Sequence, residues 1–221
     1  MPREKFEHDM KRLQEDVLVL GVLAENAVLD SVEALRTQDV AKARAIMAAD
    51  RAINEKRFAL ENEALTLIAT QQPMASDLRS LAAVLELATE LERIADYAKG
   101  IANITVMIGA TPLIKPLQDI PLMARKACDM LHASLKAYVD QDLRAAARIP
   151  AQDEEVDALY EKIYRDLVAL IVADQRVLDQ AMRLTWVAHN LERVGDRVGN
   201  ICERVIFSIS GRIEELTDSL G

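Results

Sequence analysis

Aromatic residues make up only 4% of this 221-residue chain, and it holds just 7 glycines and 6 prolines. So few turn and strand formers argue against a sheet-rich architecture, while the apolar share of 51%, mostly Ala, Leu, Val and Ile, suits long helices at close range. Cysteine is nearly absent. Cys128 and Cys202 form no CxxC pair and fall in helical apolar patterns, so reduced core thiols in a reducing compartment are expected. Long apolar runs are missing too. The longest, residues 17–29, is broken by Glu25 and Asn26, short of the roughly 20 residues a span requires. The first residues, Met1 to Asp9, carry charge rather than an apolar signal core. A cytoplasmic protein without direct membrane insertion is expected, one able to sit against a membrane protein. There is no basic excess: 27 Lys and Arg face 36 Asp and Glu, for a net charge of −9. That argues against binding nucleic acid and suits a cation or a basic protein partner. A Gly-rich phosphate loop, GxSxG and HExxH are all lacking, so no enzyme is expected.

What is present is a heptad rhythm. Leu13, Val17, Leu20, Ala24, Ala27, Ser31 and Ala34 alternate at spacings of 4 and 3, predicting a bundle helix over about Phe6 to Thr37. Asp39 is a suitable N-cap for a second helix to about Thr70, with Ile46, Ile53, Leu60 and Leu67 on its seam. Gln71-Gln72-Pro73 reads as a turn, after which Ser76 is expected to cap a third helix to about Met107. Residues 109–121 contain three prolines and a glycine and read as the joint between two halves. Three more helices are predicted: about Leu122 to Tyr138, Asp142 to Val172, and Leu178 to Ser210.

The second half repeats the first. Ser31-Val-Glu-Ala-Leu-Arg-Thr-Gln-Asp39 matches Ser134-Leu-Lys-Ala-Tyr-Val-Asp-Gln-Asp142 at an offset of 103, and Leu91-Glu-Arg-Ile-Ala-Asp96 matches Leu191-Glu-Arg-Val-Gly-Asp196 at an offset of 100. The expected fold is all-α: two repeated three-helix bundles, six long helices in all, related by a pseudo-twofold. The halves are residues 1–108 and 119–221, joined by a linker at 109–118. Pro150 breaks the symmetry, its counterpart being Met47, and should kink the fifth helix or split off its first turns.

Paired carboxylates sit at the same places in both halves. Glu92 and Asp96 share a helix face, as do Glu192 and Asp196. The preceding helix of each half carries its own pair, Asp50 with Asn54 and Asp153 with Asp157. Asp50 and Asp153 lie roughly 60° from the centre of the apolar stripe, too close to the core for an ordinary solvated face. In an antiparallel hairpin turning at Pro73, residues 50–54 stand opposite 92–96; a turn between Asp174 and Gln175 does the same for 153–157 and 192–196. Converging carboxylates need protons, a Lys or Arg, or a cation to neutralise them. Arg93 and Arg193 are near in sequence but are expected to point further round their helices. An all-oxygen set suits a hard or borderline cation, and Asn200 extends the second row by a turn. Ala95, Gly195 and Gly199 lie between seam and carboxylates and would allow close approach. His189, one turn before Glu192, is read as structural, and His8 and His132 carry no spacing signal.

Leu191-Glu-Arg-Val-Gly-Asp-Arg-Val-Gly-Asn-Ile-Cys-Glu203 and Gln72-Pro-Met-Ala-Ser-Asp-Leu-Arg79, within this doubled layout, resemble the PhoU family of phosphate-uptake regulators over essentially the whole chain. The resemblance implies one metal-binding motif pair per repeat. Asp153, Asp157, Glu192 and Asp196 match the second pair fully. Asp50, Glu92 and Asp96 match the first, where Asn54 replaces a carboxylate and Gly100 stands for Asn200. The metal itself is left open among iron, Mn, Mg, Ca and Zn. The resemblance further implies a negative regulator of phosphate uptake and of the phosphate-starvation response, a homodimer linking the ATPase subunit of a phosphate ABC transporter to a sensor histidine kinase. Two other readings compete: a di-metal carboxylate oxidase, weakened because its ExxH motifs are absent, and a helical scaffold whose acidic rows bind no metal.

Overall fold

A computed structural model of the chain describes residues 2–212; Met1 and residues 213–221, assigned above to the outer ends of the two halves, lie outside the described residues. Among the described residues there are helices and no strands. The first half holds α1 (Pro2–Thr37), α2 (Val40–Gln71) and α3 (Ala75–Ile108). The second holds α4 (Asp119–Asp140), α5 (Leu143–Arg148), α6 (Asp153–Ala173) and α7 (Leu178–Ser210). The expected fifth helix is thus divided. Pro150 starts a 3-10 turn, Ile149–Gln152, that separates α5 from α6, because proline donates no N–H to an α-helical ladder.

The repeated segment around residues 31–39 and 134–142 explains itself. Ser31 and Ser134 are fully buried, and each donates its hydroxyl to the carbonyl three residues earlier, on Val28 at 2.8 Å and on Leu131 at 2.7 Å. Gln38 and Gln141 then take left-handed backbone angles, φ 55° and 50°. Asp39 N donates to Ala34 O and Asp142 N to Ala137 O, closing the same turn twice. The two aspartates cap the helices that follow: Asp39 accepts from Lys42 N at 2.9 Å, and Asp142 from Arg144 N and Ala145 N at 3.0 Å.

Two expectations shift by a residue or more. α3 begins at Ala75 after Met74, whose backbone is extended, so Ser76 sits inside the first turn and caps nothing. Pro73 and the left-handed Gln72 have already ended α2 there. On α1 the buried stripe takes Val28 where Ala27 was expected, the larger apolar group filling the seam.

Within each half the last helix packs against the other two, and α3 and α7 pack on each other between the halves, with α1 crossing α4. One continuous core cluster draws on both halves. α3 and α7 run antiparallel, and their contacts exchange under the offset of 100. Asn200 Nδ2 donates to Glu90 Oε2 at 3.3 Å, while the equivalent pair brings Asn190 against Gly100. The register of this antiparallel contact is therefore centred on Ala95 and Gly195. The connector between α3 and α4 is fastened to both halves: Gln38 Nε2 donates to Gly109 O and Thr111 O, and Gln180 bonds Pro112 O and Ile114 N.

Candidate metal centre

The first acidic cluster spans α2 and α3. Asp50 is 6% exposed, Asn54 and Glu92 are half-buried, and Asp96 is exposed. Asp50 Oδ2 accepts from Lys99 Nζ at 2.7 Å and from Asn54 Nδ2 at 3.2 Å. The same ammonium lies 3.7 Å from Asp96 Oδ1. Asp50 and Asp96 thus meet at one height across the hairpin, as a turn at Pro73 demands, and the cation between them is Lys99. Side chains on α3 lean toward its N-terminus, which brings the Lys99 ammonium back about one turn. Lys99 is held above its usual pKa, first by its hydrogen bond to Asp50. The Glu92 carboxyl is raised, first by burial and then by Asp96.

The second cluster is arranged differently. Asp153, Asp196, Asn200 and Glu203 line an open cleft of about 290 Å³, together with Pro150, Gly195, Arg197, Gly199 and Met130. The break at Pro150 makes Asp153 the first residue of α6, where helix N–H groups favour a carboxylate, whereas Asp50 lies inside the unbroken α2. A Cβ on Gly195 would overlap Asp153 Oδ1, so any side chain there would make this carboxylate shift; at Gly199 nothing lies within 4 Å, and the cleft stays open there.

Glu192 and Asp157 do not line this cleft. Asp157 is exposed, and its charge is among those acting on Glu192. Glu192 Oε2 is buried and accepts no hydrogen bond; His189 Nδ1 lies 3.2 Å away, off the line of one. Burial first, then Asp196, pushes the Glu192 carboxyl above the usual range. Asp157 and Glu192 act on each other across the hairpin as expected, but of the predicted second set only Asp153, Asp196 and Asn200 line the cleft. Among the described residues, no three His, Cys, Asp or Glu side chains stand together closely enough to hold a metal ion.

Several residues that shape these sites were missed or set aside in reading the sequence. Lys99 is the main one; its signal was its position three residues after Asp96. Arg193 was expected to point away, yet donates to Asp196 Oδ2 at 2.7 Å, the reach of a long side chain across i to i+3. A hydrogen bond to Tyr97 of α3 is the first cause of its raised pKa. Arg93 turns instead to Glu90, at 3.7 Å. His189, read as structural, stands beside Glu192 and packs edge-on to Trp186. Glu203 ends the recognised segment and completes the cleft.

The cleft offers hard oxygens from Asp153, Asp196, Asn200 and Glu203 beside the Arg197 guanidinium, set too far apart to ligate a bare ion directly, and the open space at Gly199 leaves room for a hydrated hard cation. The first cluster fits one poorly, because an ammonium already stands between its two aspartates.

The family model for the PhoU domain matches residues 17–105 and again 120–205. The chain belongs to the PhoU family. The two matches coincide with the two structural repeats. The chain is 34% identical over 219 residues to the phosphate-specific transport system accessory protein PhoU homolog of Clostridium acetobutylicum, covering 99% of this chain and all of that one. It is 34% identical to the homolog of Caulobacter vibrioides, over 97% and 93% of the two chains, and 29% identical to the Escherichia coli protein of that name, over 94% and 86%. Two crystal structures share the fold. PhoU from Pseudomonas aeruginosa aligns with a TM-score of 0.88 at 27% identity, covering 94% of this chain and all of that one. The phosphate transport system regulatory protein PhoU from Streptococcus pneumoniae aligns with 0.87 at 26%, over 95% and 99%. Membership places the chain among the regulatory accessory proteins of phosphate transport.

Proposed function

We propose that this PhoU-family chain is a negative regulator of phosphate uptake and of the phosphate-starvation response. It acts as a cytoplasmic adaptor between the ATPase subunit of a phosphate ABC transporter and a sensor histidine kinase, and works as a homodimer. The observation that carries this reading is the match along 99% of the chain to an accessory protein of phosphate-specific transport. An adaptor needs surface to offer partners, and apolar side chains are left exposed on both long hairpins. Trp186, Met182, Val172 and Leu178 lie exposed on the second, Phe58, Leu65 and Met74 on the first. Among the described residues no helix is long and apolar enough to cross a membrane, so contact with a transporter runs through such surfaces.

In this reading the second-repeat cleft binds a cation through Asp153, Asp196, Asn200 and Glu203. A cation bound there would supply positive charge between the carboxylates of α6 and α7. The chain's own part is to present Asp153 from the start of α6 and to keep position 195 clear for it. A scaffold without metal is the competing reading, favoured by the ion pairs that Lys99 and Arg193 already make. Metal analysis of the purified protein separates the two.

Deleting the gene tests the regulatory role. Phosphate uptake should rise, and starvation-response reporters should switch on in phosphate-rich medium. Unchanged uptake and unchanged reporters in the deletion strain reject the proposal.

A further inference from the structure

The two acidic clusters differ at the positions that decide what neutralises them. Lys99 has Gly199 as its repeat counterpart, and Asn54 has Asp157. In the first repeat, therefore, one residue brings a cation and another replaces an anion with an amide donor. Both donors converge on a single oxygen, Asp50 Oδ2, at 2.7 and 3.2 Å. Asp50 is the most buried carboxylate of either cluster, so it is the one that most needs a fixed counter-charge. In the second repeat, the counterpart of Lys99 leaves open space within the cleft.

We infer that Lys99 is a built-in cation: its ammonium takes the place of a metal ion between Asp50 and Asp96, so the first repeat binds no metal and any metal binding belongs to the second. Only the last clause rests on the metal reading proposed above. A tethered ammonium does not exchange with the surrounding ions. The first hairpin is then locked whatever the metal supply, and only the second hairpin responds to it. An incoming divalent ion would have to displace Lys99 and meet Asn54 where the second repeat offers Asp157. A doubled fold thereby yields a single responsive site.

The full chain is titrated with Mn²⁺, free ion being followed by electron paramagnetic resonance, with melting temperature as a second readout. Asp153→Asn with Asp196→Asn first disables the second-repeat cleft. With Lys99 in place, this variant should bind no Mn²⁺ at the first cluster. Adding Lys99→Ala should create a site at least about tenfold tighter than any residual binding by the parent variant, with Mn²⁺ then stabilising the chain against heat. Adding Asp50→Asn should then remove it. Lys99→Gln serves in place of Lys99→Ala where the smaller side chain prevents folding. Mn²⁺ binding that survives with Lys99 present and is lost on Asp50→Asn overturns the inference, and so does no gain in either Lys99 variant. If the unaltered chain binds no Mn²⁺ while Lys99→Ala gains it, the metal reading of the second repeat fails and the role of Lys99 stands.

Discussion

Gly195 on α7 and the Asp153 carboxylate on α6 claim the same space: a Cβ at position 195 would overlap Asp153 Oδ1. Gly195→Ala must therefore push the carboxylate out of its present place in the cleft. Alanine also favours helix by about 1 kcal/mol over glycine, which offsets the disturbance in stability. The expected outcome is at least about a tenfold loss of Mn²⁺ affinity, or about 1.4 kcal/mol, with a melting temperature close to that of the unaltered chain. Gly199→Ala is the control, since nothing lies within 4 Å of a Cβ there. It should gain stability and keep its affinity. Equal loss of binding in both variants would show that the cleft, not the Asp153 contact, sets the affinity.

The raised Glu192 carboxyl gives a pH dependence with a definite sign. Burial and Asp196 lift it above its ordinary 4.5, so the folded chain holds that proton more tightly than the unfolded one. Its contribution to stability is then fully present below 4.5 and is lost as pH rises through the raised folded value. Glu192→Gln, which cannot ionise, removes this loss. In the absence of metal, the variant should gain on the unaltered chain as pH climbs from about 4 to about 7. Denaturant melts across that range read the difference directly. A gap that stays constant or narrows with pH contradicts the assigned cause.

Asp39 and Asp142 occupy equivalent caps, each accepting from backbone N–H groups of the next helix. Replacing either by alanine should cost about 1 kcal/mol. The double variant should cost the sum to within about 0.5 kcal/mol, because the caps lie in different repeats and share no partner. Their effects on binding should differ. Asp142 starts α5, which leads through Pro150 to Asp153, so Asp142→Ala should weaken Mn²⁺ binding in the cleft, and Asp39→Ala should not. Urea melts and calorimetric titration of the three variants decide it.

The heptad seam, the duplicated Ser-to-Asp turn and the break at Pro150 were legible in the sequence because each depends on residues within a turn or two of one another. The start of α3 was less so: Ser76 has the chemistry of a cap, but Pro73 and the extended Met74 begin the helix two residues too early for it. The heights of the carboxylate pairs followed from counting back from the turns. What neutralises them did not. Lys99 reaches Asp50 only because its chain leans back along α3, and Arg193 reaches Asp196 by bending across a turn that a helical wheel treats as open. The division of Glu192 and Asp157 from the cleft depends on where α6 begins, hence on how the Pro150 break is rebuilt as a 3-10 turn.

The contact between the repeats carries its own charge pair. Glu90 on α3 and Arg197 on α7 are 13% and 12% exposed, with Arg197 Nη1 and Asn200 Nδ2 both 3.3 Å from Glu90 Oε2. Two α7 side chains that line the cleft are thus anchored by one α3 carboxylate. Such a pair lies between the exposed limit, where an ion pair contributes about 0–1 kcal/mol, and the buried limit, where breaking one costs about 3–5 kcal/mol. Glu90→Gln should therefore destabilise the chain by about 1–3 kcal/mol. Pairing it with Arg197→Gln should cost less than the two single changes together, since each single change strands the other group. Glu86 with Arg204 is the comparison: it bridges the same helices but is 47% and 29% exposed. Glu86→Gln should cost less than about 1 kcal/mol. Urea melts of the four variants check the order, and a Glu86 change as costly as the Glu90 change would mean that burial at the α3–α7 contact is not what gives the pair its weight.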